Sequence, residues 1–254
     1  MFLMVNYIYQ HVRKETMWDR EEDPFYDYEI DEPSYRRYEI ITPAQKIYRF
    51  EFFPRHYTIQ RRPVGKIKFS ETELKHLAIA WLILTLAFYL VFRKSFVAAA
   101  FAVTTGFFLH ELGHKITANK MGYWSEFRAS YGGLAIALLL AAIPPHFLFA
   151  APGAVMIAGN ISKKENGIIS LAGPAVNIVI ATICVSILLT IKALLSHFVV
   201  DTINFVTIIN LLLAGFNMIP IYPLDGSKIL SWSPPLYGIT IVVLVLLGLT
   251  YAGI

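Results

Sequence analysis

Long apolar runs limit what this chain of 254 residues can fold into. They cover residues 74–92, 95–114, 168–191, 203–219 and 236–254. Each approaches the roughly 20 residues that a helix needs to cross the hydrocarbon core of a bilayer. With 56% hydrophobic and only 16% charged residues, the chain is also too apolar for an ordinary soluble domain. The runs predict an all-α membrane bundle of about five transmembrane helices, surrounded by the lipid bilayer.

Residues 1–65 differ from the rest of the chain in composition. They hold most of the acidic residues and several prolines, which disfavour long helices. Alternation of apolar and polar residues predicts one or two short strands within residues 47–60. We therefore predict two parts: a short, partly ordered polar extension in the cytosol over residues 1–65, and a membrane domain over residues 66–254. A regulatory or substrate-gating role for the extension is an alternative.

Polar residues mark the ends of the predicted spans. Ser70 and Glu73 have the spacing of a capping box, which predicts that a helix begins just before the first apolar run. Residues 162–166 are expected to form a polar loop. Pro174 then falls near the start of the next helix, where proline is tolerated.

Residues 132–160 do not fit a simple span. An apolar, helical-looking segment at residues 134–143 ends at two prolines. Residues 147–157 contain Pro152 and a following glycine, which favour extended backbone. We expect a re-entrant pair, in which a short helix enters the membrane and an extended segment returns, shielded by protein or lining a wet cavity. His146 at the turn is expected to be a bystander, with a metal-binding role as the alternative.

The second apolar run ends in the sequence His-Glu-Leu-Gly-His at residues 110–114. On a helix, His110 and His114 lie one turn apart on the same face, so both can bind one metal ion. Their imidazoles suit Zn²⁺, and Glu111 could take a proton from a water on that metal. The alternative is a chance match with two neutral, buried histidines. Ionisable residues inside a membrane segment are costly and usually functional, which favours the zinc site.

A catalytic zinc ion usually has three protein ligands, so a third is needed. Beyond residue 73 the chain has these carboxylates: Glu111, Glu126, Glu165, Asp201 and Asp225. Glu111 is assigned as the base. Glu126 and Glu165 are expected in solvated loops, and Asp201 falls on the opposite side of the membrane in the predicted topology. Asp225 follows two prolines at a membrane boundary and is the remaining candidate, with a role as helix N-cap as the alternative.

The basic residues set the predicted orientation. With the N-terminus in the cytosol and residues 132–160 re-entrant, most of the positive charge of the membrane domain falls on the cytosolic side, as the positive-inside rule requires. The cytosolic group is Lys115, Lys120, Arg128, Lys163, Lys164 and Lys228. The same topology brings His110, Asn177 and Asp225 to a similar depth near the cytosolic face of what we expect to be the cell membrane.

Three motifs together resemble those of the site-2 protease family of intramembrane zinc metalloproteases. His-Glu-Leu-Gly-His at residues 110–114 resembles the family's helix motif, and residues 173–177 resemble its central Gly-Pro-x-x-Asn. Residues 217–226 resemble its Asn-x-x-Pro-x-x-Pro-Leu-Asp-Gly motif. The motifs occur in the family's order and in apolar surroundings, and the resemblance covers residues 66–254. Ser227 departs from the family, which often has a second glycine there.

The resemblance implies one zinc ion per chain on His110, His114 and Asp225, with Glu111 as the base. It also implies that Asn177 helps to stabilise the oxyanion of the reaction. The implied function is hydrolysis of peptide bonds in transmembrane protein substrates, as in regulated intramembrane proteolysis. The resemblance further implies an extended segment that pairs with an unwound substrate: Gly153, Ala154, Val155 and Met156.

Other classes of function compete with this expectation. A membrane metal transporter would need ligands along a path through the membrane, and an inactive scaffold would not need to keep Glu111. Another family of intramembrane zinc peptidases places a glutamate ligand on a helix after the histidine motif, and no suitable glutamate follows here. The net charge of +4 is explained by basic residues flanking the spans, so no nucleic-acid partner is expected.

Overall fold

The computed structural model describes residues 37–41, 47–51, 67–144 and 151–253. The chain divides into two units, Met1–Thr58 and Ile59–Ile254. In the first unit, strands β1 (Arg37–Ile41) and β2 (Ile47–Glu51) pair in an antiparallel register. Strand β2 confirms a strand predicted within residues 47–60, of which residues 52–60 lie outside the described part. Strand β1 was not predicted.

The described part of the second unit consists of helices and one two-stranded sheet. Its helices are α1 (Glu71–Phe92), α2 (Phe96–Val103), α3 (Leu109–Lys120), α4 (Tyr131–Ala142), α5 (Lys163–Ile191), α6 (His197–Asn217), α7 (Asp225–Trp232) and α8 (Pro234–Ala252). A π-helical turn, Thr104–Phe108, joins α2 to α3, and a 3₁₀ turn, Lys192–Leu194, follows α5.

Among the described residues, five helical stretches are long and apolar enough to cross a membrane. They are α1, the continuous stretch Phe96–Lys120, the stretch Lys163–Leu194, α6 and α8. Large apolar side chains stay exposed along them, including Leu82, Leu212 and Leu246. Such exposure suits surroundings of lipid rather than water. These helices fit an integral membrane protein and confirm the predicted fold class.

Helix α5 lies at the centre of the bundle, in contact with α3, α6, α7 and α8. A glycine allows α3 to approach it closely, because a Cβ at Gly113 would stand 3.0 Å from the carbonyl oxygen of Ala172. On the other side, α1, α2 and α6 share one apolar core that includes Leu84, Val103 and Phe205. Between helices in lipid, packing of this kind supplies much of the attraction. It places the histidine motif against the glycine-proline segment of α5.

The start of α5 differs from the prediction. Helix α5 begins at Lys163, so residues 162–166 are a helix start and not a polar loop. Ser162 Oγ accepts a hydrogen bond from Glu165 N at 3.3 Å, and Glu165 Oε2 accepts one from Ser162 N at 3.1 Å. These two bonds form a complete capping box. Pro174 consequently lies inside the helix rather than in its first turn.

The capping box predicted at α1 forms only in part. Ser70 Oγ accepts a hydrogen bond from Glu73 N at 3.1 Å, as predicted. The Glu73 carboxylate, however, contacts Lys115 and Phe127, which lie far away in the chain. Glu73 is completely buried as a result. The spacing of Ser70 and Glu73 therefore predicts the helix start correctly and the partner of the Glu73 side chain wrongly.

The region after α3 contains a sheet next to the predicted helix and extended segment. Helix α4 is followed by strand β4 (Gly153–Ala158), as predicted, while residues 145–150, with His146, lie outside the described part. Strand β4 pairs antiparallel with β3 (Trp124–Ala129), which was not predicted. Glu126 lies in β3, where it is buried beside Arg128, so its expected place in a solvated loop is wrong.

Candidate metal centre

Helix α3 carries His110, Glu111 and His114, all of them buried. The helix continues directly from the π-helical turn Thr104–Phe108, a local form that is frequent at functional sites. The two imidazole rings lie one helical turn apart with their centroids separated by 4.7 Å. Their position on one face of the helix is the one that the sequence predicts.

Asp225 joins the two histidines from the beginning of α7. Its Oδ2 atom lies 3.4 Å from His110 Nε2 and 3.2 Å from His114 Nε2. The N-cap position of α7 belongs to Leu224, so the alternative role of Asp225 as an N-cap is wrong. Burial alone would raise the pKa of Asp225, but its contacts with His114 and His110 hold that pKa well below the usual range of a carboxyl. The carboxylate is therefore charged at neutral pH.

Three possible ligand atoms converge at this point. The two Nε2 atoms are 3.1 Å apart, which completes a triangle with Asp225 Oδ2. Ligands at about 2.0–2.1 Å from a tetrahedral zinc ion stand about 3.3 Å from one another, close to the edges of this triangle. Two imidazoles and a carboxylate are also ligands that zinc accepts. His110, His114 and Asp225 thus fit one zinc ion, which confirms the predicted cofactor.

Hydrogen bonds to Nδ1 fix the state of both histidine rings. His114 Nδ1 lies 2.8 Å from the carbonyl oxygen of Ile169, which can only accept, so this nitrogen carries a hydrogen. His110 Nδ1 lies 2.6 Å from Asn177 Oδ1 and donates to it. In the neutral rings both Nε2 atoms then present lone pairs toward each other and toward Asp225. His110, His114 and Asp225 could therefore all be satisfied at once by one divalent cation.

Asn177 lies beside His110 and is fully buried. Its Nδ2 donates to the Gly106 carbonyl oxygen and to Asn210 Oδ1, at 2.9 Å in each case. Both amide hydrogens are used within the protein, and the amide oxygen accepts from His110. This geometry supports a role in orienting the His110 ring, and the expected role at the oxyanion stays a prediction.

One further residue of this network, Asn210, was not predicted from the sequence. Asn210, on α6, is completely buried, and its Nδ2 donates to Thr105 Oγ1 at 3.0 Å and to the Val206 carbonyl oxygen at 2.9 Å. Its Oδ1 is thereby turned toward Asn177. The signal that could have identified Asn210 is a lone asparagine within an apolar run, since intramembrane polar groups tend to pair with one another.

We expect the substitution Asn210→Leu to lower zinc affinity by up to about tenfold, the low end of the effect of losing a direct hydrogen-bond partner of a metal ligand, because Asn210 acts on His110 only through Asn177. Asn177 would lose one of the two acceptors that fix its amide. Competition with a chromogenic chelator measures the affinity. Asn204→Leu is the matched control, because Asn204 lies on the same helix and contacts Val200 and Tyr251 instead. Equal affinity in Asn210→Leu and the wild type would contradict the network.

Glu111 is attached to strand β4. Its Oε2 atom accepts a hydrogen bond from Val155 N at 3.1 Å, which brings one of the predicted substrate-binding residues to the predicted base. The other three, Gly153, Ala154 and Met156, share the same strand. On the far side of the centre, Lys228 Nζ lies 3.7 Å from Asp225 Oδ1. Lys228 thus engages the carboxylate oxygen that does not face the histidines.

Membrane-length helices around a buried His-His-Asp centre, with a buried glutamate beside it, define a membrane metalloprotein with the groups of a metal-dependent hydrolase. A Methanocaldococcus jannaschii protein named "Putative zinc metalloprotease MJ0611" is 39% identical over 177 residues, covering 68% of this chain and 90% of that protein. The chain belongs to this zinc metalloprotease family. "Zinc metalloprotease MJ0392" of the same organism is 31% identical over 128 residues, covering 48% of this chain and 30% of that protein. No family model and no solved structure matches the chain.

Proposed function

We propose that the protein is an intramembrane zinc metalloprotease of the site-2 protease type, which hydrolyses peptide bonds of membrane-spanning proteins. One observation carries the proposal: His110, His114 and Asp225 form a buried centre within helices of membrane length. A protease with its centre so placed meets substrates that are themselves in the bilayer.

In this proposal His110, His114 and Asp225 bind zinc, and Glu111 is the general base. Bound zinc supplies the Lewis acidity that activates water and polarises a carbonyl. Glu111 accepts a proton from the attacking water and later returns a proton to the leaving amine, so the carboxylate is regenerated in each cycle. The hydrogen bond from Val155 N restricts the rotation of the Glu111 carboxylate. Asn177 acts through His110, whose ring it orients.

We further propose that β4 binds the substrate as an added strand. Peptide groups in a membrane helix are already hydrogen-bonded, so a substrate must unwind locally and find new partners for its backbone. Val155 N donates to Glu111 rather than to β3, so the outer edge of β4 lies beside the proposed base. A substrate strand on this edge would carry its peptide groups past Glu111.

The transporter alternative is less favoured by the arrangement of ligands. Within residues 67–144 and 151–253, a single group of three metal-ligating side chains is found, whereas a transport path needs several binding points. The proposed location is the cell membrane, with the N-terminus and the centre toward the cytosol. That orientation rests on the distribution of lysines and arginines about the spans.

Cleavage of a model transmembrane substrate by the purified protein in lipid vesicles tests the proposal. We expect cleavage to fall at least about 100-fold after zinc is removed with a chelator, and to return when zinc is added. A water-soluble peptide with the same scissile sequence should be cleaved far more slowly. Cleavage that survives full zinc removal would contradict the metalloprotease, and cleavage of the soluble peptide alone would contradict the intramembrane assignment.

A further inference from the structure

A buried ion pair lies next to the metal centre and has no part in the proposed reaction. Glu73 on α1 is 0% exposed and Lys115 on α3 is 2% exposed. Lys115 Nζ donates to Glu73 Oε2 at 2.7 Å. Burying two charges carries a desolvation cost that can cancel their attraction, so such a pair is weak evidence for stability. Its other contacts indicate a different role.

Both members of the pair also bind the backbone of strand β3. Phe127 N donates to Glu73 Oε1 at 2.9 Å, and the Ser125 carbonyl oxygen accepts from Lys115 Nζ at 2.8 Å. These backbone groups point away from β4, toward the outer edge of the sheet. The charged groups therefore satisfy an edge that would otherwise be free to pair with another strand.

His76 extends the same cover along the edge of β3. Ala129 N donates to His76 Nδ1 at 3.1 Å. His76 follows Glu73 by three positions, so the two side chains lie on one face of α1. In an antiparallel pair the outward backbone groups come from alternate residues, and Ser125, Phe127 and Ala129 are three such positions. The outer edge of β3 is thus capped along most of its length.

The opposite edge of the sheet belongs to β4 and faces Glu111. Phe127 is paired with Val155, and at this pair both N–H groups point outward, one to Glu73 and the other to Glu111. Glu111 and Lys115 are four positions apart on α3 and so lie on one helix face. Two successive turns of α3 therefore contact the two edges of one sheet: Glu111 binds β4 and Lys115 binds β3.

We propose that Glu73, His76 and Lys115 take the place of a third strand on β3 and thereby position β4 in front of Glu111. They are positioning residues, which act on the reaction through the sheet. With β3 capped, a substrate strand adds at β4. The fixed distance from β4 to Glu111 determines which peptide bond is cleaved. This inference rests on the proposed function, since it concerns how a substrate strand is aligned with the base.

Paired substitutions test this role without leaving one buried charge alone. Glu73→Leu combined with Lys115→Met removes both charges and the acceptor for Phe127 N. Glu73→Gln combined with Lys115→Met also removes both charges but keeps an acceptor, and serves as the conservative variant. The matched control is Glu71→Gln combined with Lys75→Met, because these residues form an exposed pair on the same helix, 3.8 Å apart.

We expect the Leu/Met variant to bind zinc as the wild type does, while kcat on a transmembrane substrate falls about 10–100-fold with little change in KM. Mass spectrometry of the products should show cleavage spread over neighbouring peptide bonds. The variant that combines Glu73→Gln with Lys115→Met should recover part of the rate and of the cleavage fidelity. The control, Glu71→Gln with Lys75→Met, should match the wild type. Wild-type kcat at the wild-type bond in the Leu/Met variant would overturn the proposal.

Amide hydrogen exchange separates this proposal from the proposed function, because it needs no substrate. We expect exchange at Phe127 to be at least about tenfold faster in the Leu/Met variant than in the wild type or the control. Unchanged exchange would overturn the cap on β3, whether or not the protein cleaves anything. Failure of the wild type to cleave any membrane substrate, together with faster exchange in the variant, would overturn the proposed function and leave the cap supported.

Discussion

Replacing Glu111 with glutamine is expected to lower kcat/KM for a transmembrane substrate by about 10²–10⁴-fold while zinc stays bound. Glutamine has nearly the same size, and its amide oxygen can still accept the hydrogen bond from Val155 N. It cannot accept a proton from water at neutral pH. The groups that fit zinc, His110, His114 and Asp225, are unchanged. Single-turnover cleavage, with zinc content measured on the same samples, tests this expectation.

A second glutamate provides the matched control for this experiment. Glu165 lies in the capping box at the start of α5, and glutamine serves equally well at that position of the box. Glu165→Gln should therefore retain wild-type cleavage and zinc content. Equal cleavage by Glu111→Gln and the wild type, at equal zinc content, would identify another base or a contaminating protease.

The histidine pair could be predicted from the sequence because it depends only on local geometry. Once the segment is a helix, His110 and His114 must share a face. Asp225 could be predicted as the third ligand for a different reason. The membrane domain contains so few carboxylates that elimination and the resemblance both led to the residue that the structure places 3.2 Å from His114. Scarcity of polar groups in a membrane domain makes such arguments stronger than in a soluble protein.

The surroundings of the centre could not be predicted in the same way, because they depend on contacts between distant segments. The spacing of Ser70 and Glu73 fits a capping box, and no local rule shows that the Glu73 carboxylate turns to Phe127 instead. The positive-inside rule predicts Lys115 as a cytosolic flanking charge, yet it is buried against Glu73. A local explanation from the sequence was adequate for each of these side chains. In the structure, each side chain instead contacts a residue that is distant in the chain.

Strand β3 and the start of α5 were missed because charged residues interrupt their patterns. Glu126 and Arg128 make residues 124–129 look like a solvated connection, but the two side chains pair with each other and stay buried or nearly so. Lys163 and its charged neighbours likewise look like a loop, whereas Ser162 and Glu165 form a capping box that begins a helix there. A hydrophobicity pattern therefore misses a strand or helix start whose charged side chains are paired with each other or exposed to solvent.

Gly173 is expected to be as important for the metal centre as the ligands themselves. A Cβ at this position would lie 2.5 Å from His114 Nε2 and 2.6 Å from His110 Nε2. Both atoms are proposed metal ligands, and these distances are shorter than real Cβ contacts allow, so the two rings would have to move away from their present positions. We expect Gly173→Ala to lower zinc affinity by about 100-fold or more, in line with the usual cost of overpacking, and to lower cleavage with it.

A second helical glycine shows whether the effect is specific to the centre. At Gly215 an added Cβ would meet only Leu244 Cδ2, at 3.8 Å, which is an ordinary contact. Since alanine is the better helix former, Gly215→Ala should keep zinc affinity and cleavage and equal or exceed the wild type in thermal stability. Chelator competition measures the zinc affinity of both variants. If Gly173→Ala bound zinc as tightly as the wild type, the metal would not lie between His110, His114 and Asp225. The glycine of the Gly-Pro-x-x-Asn motif would then need a reason other than room for the metal.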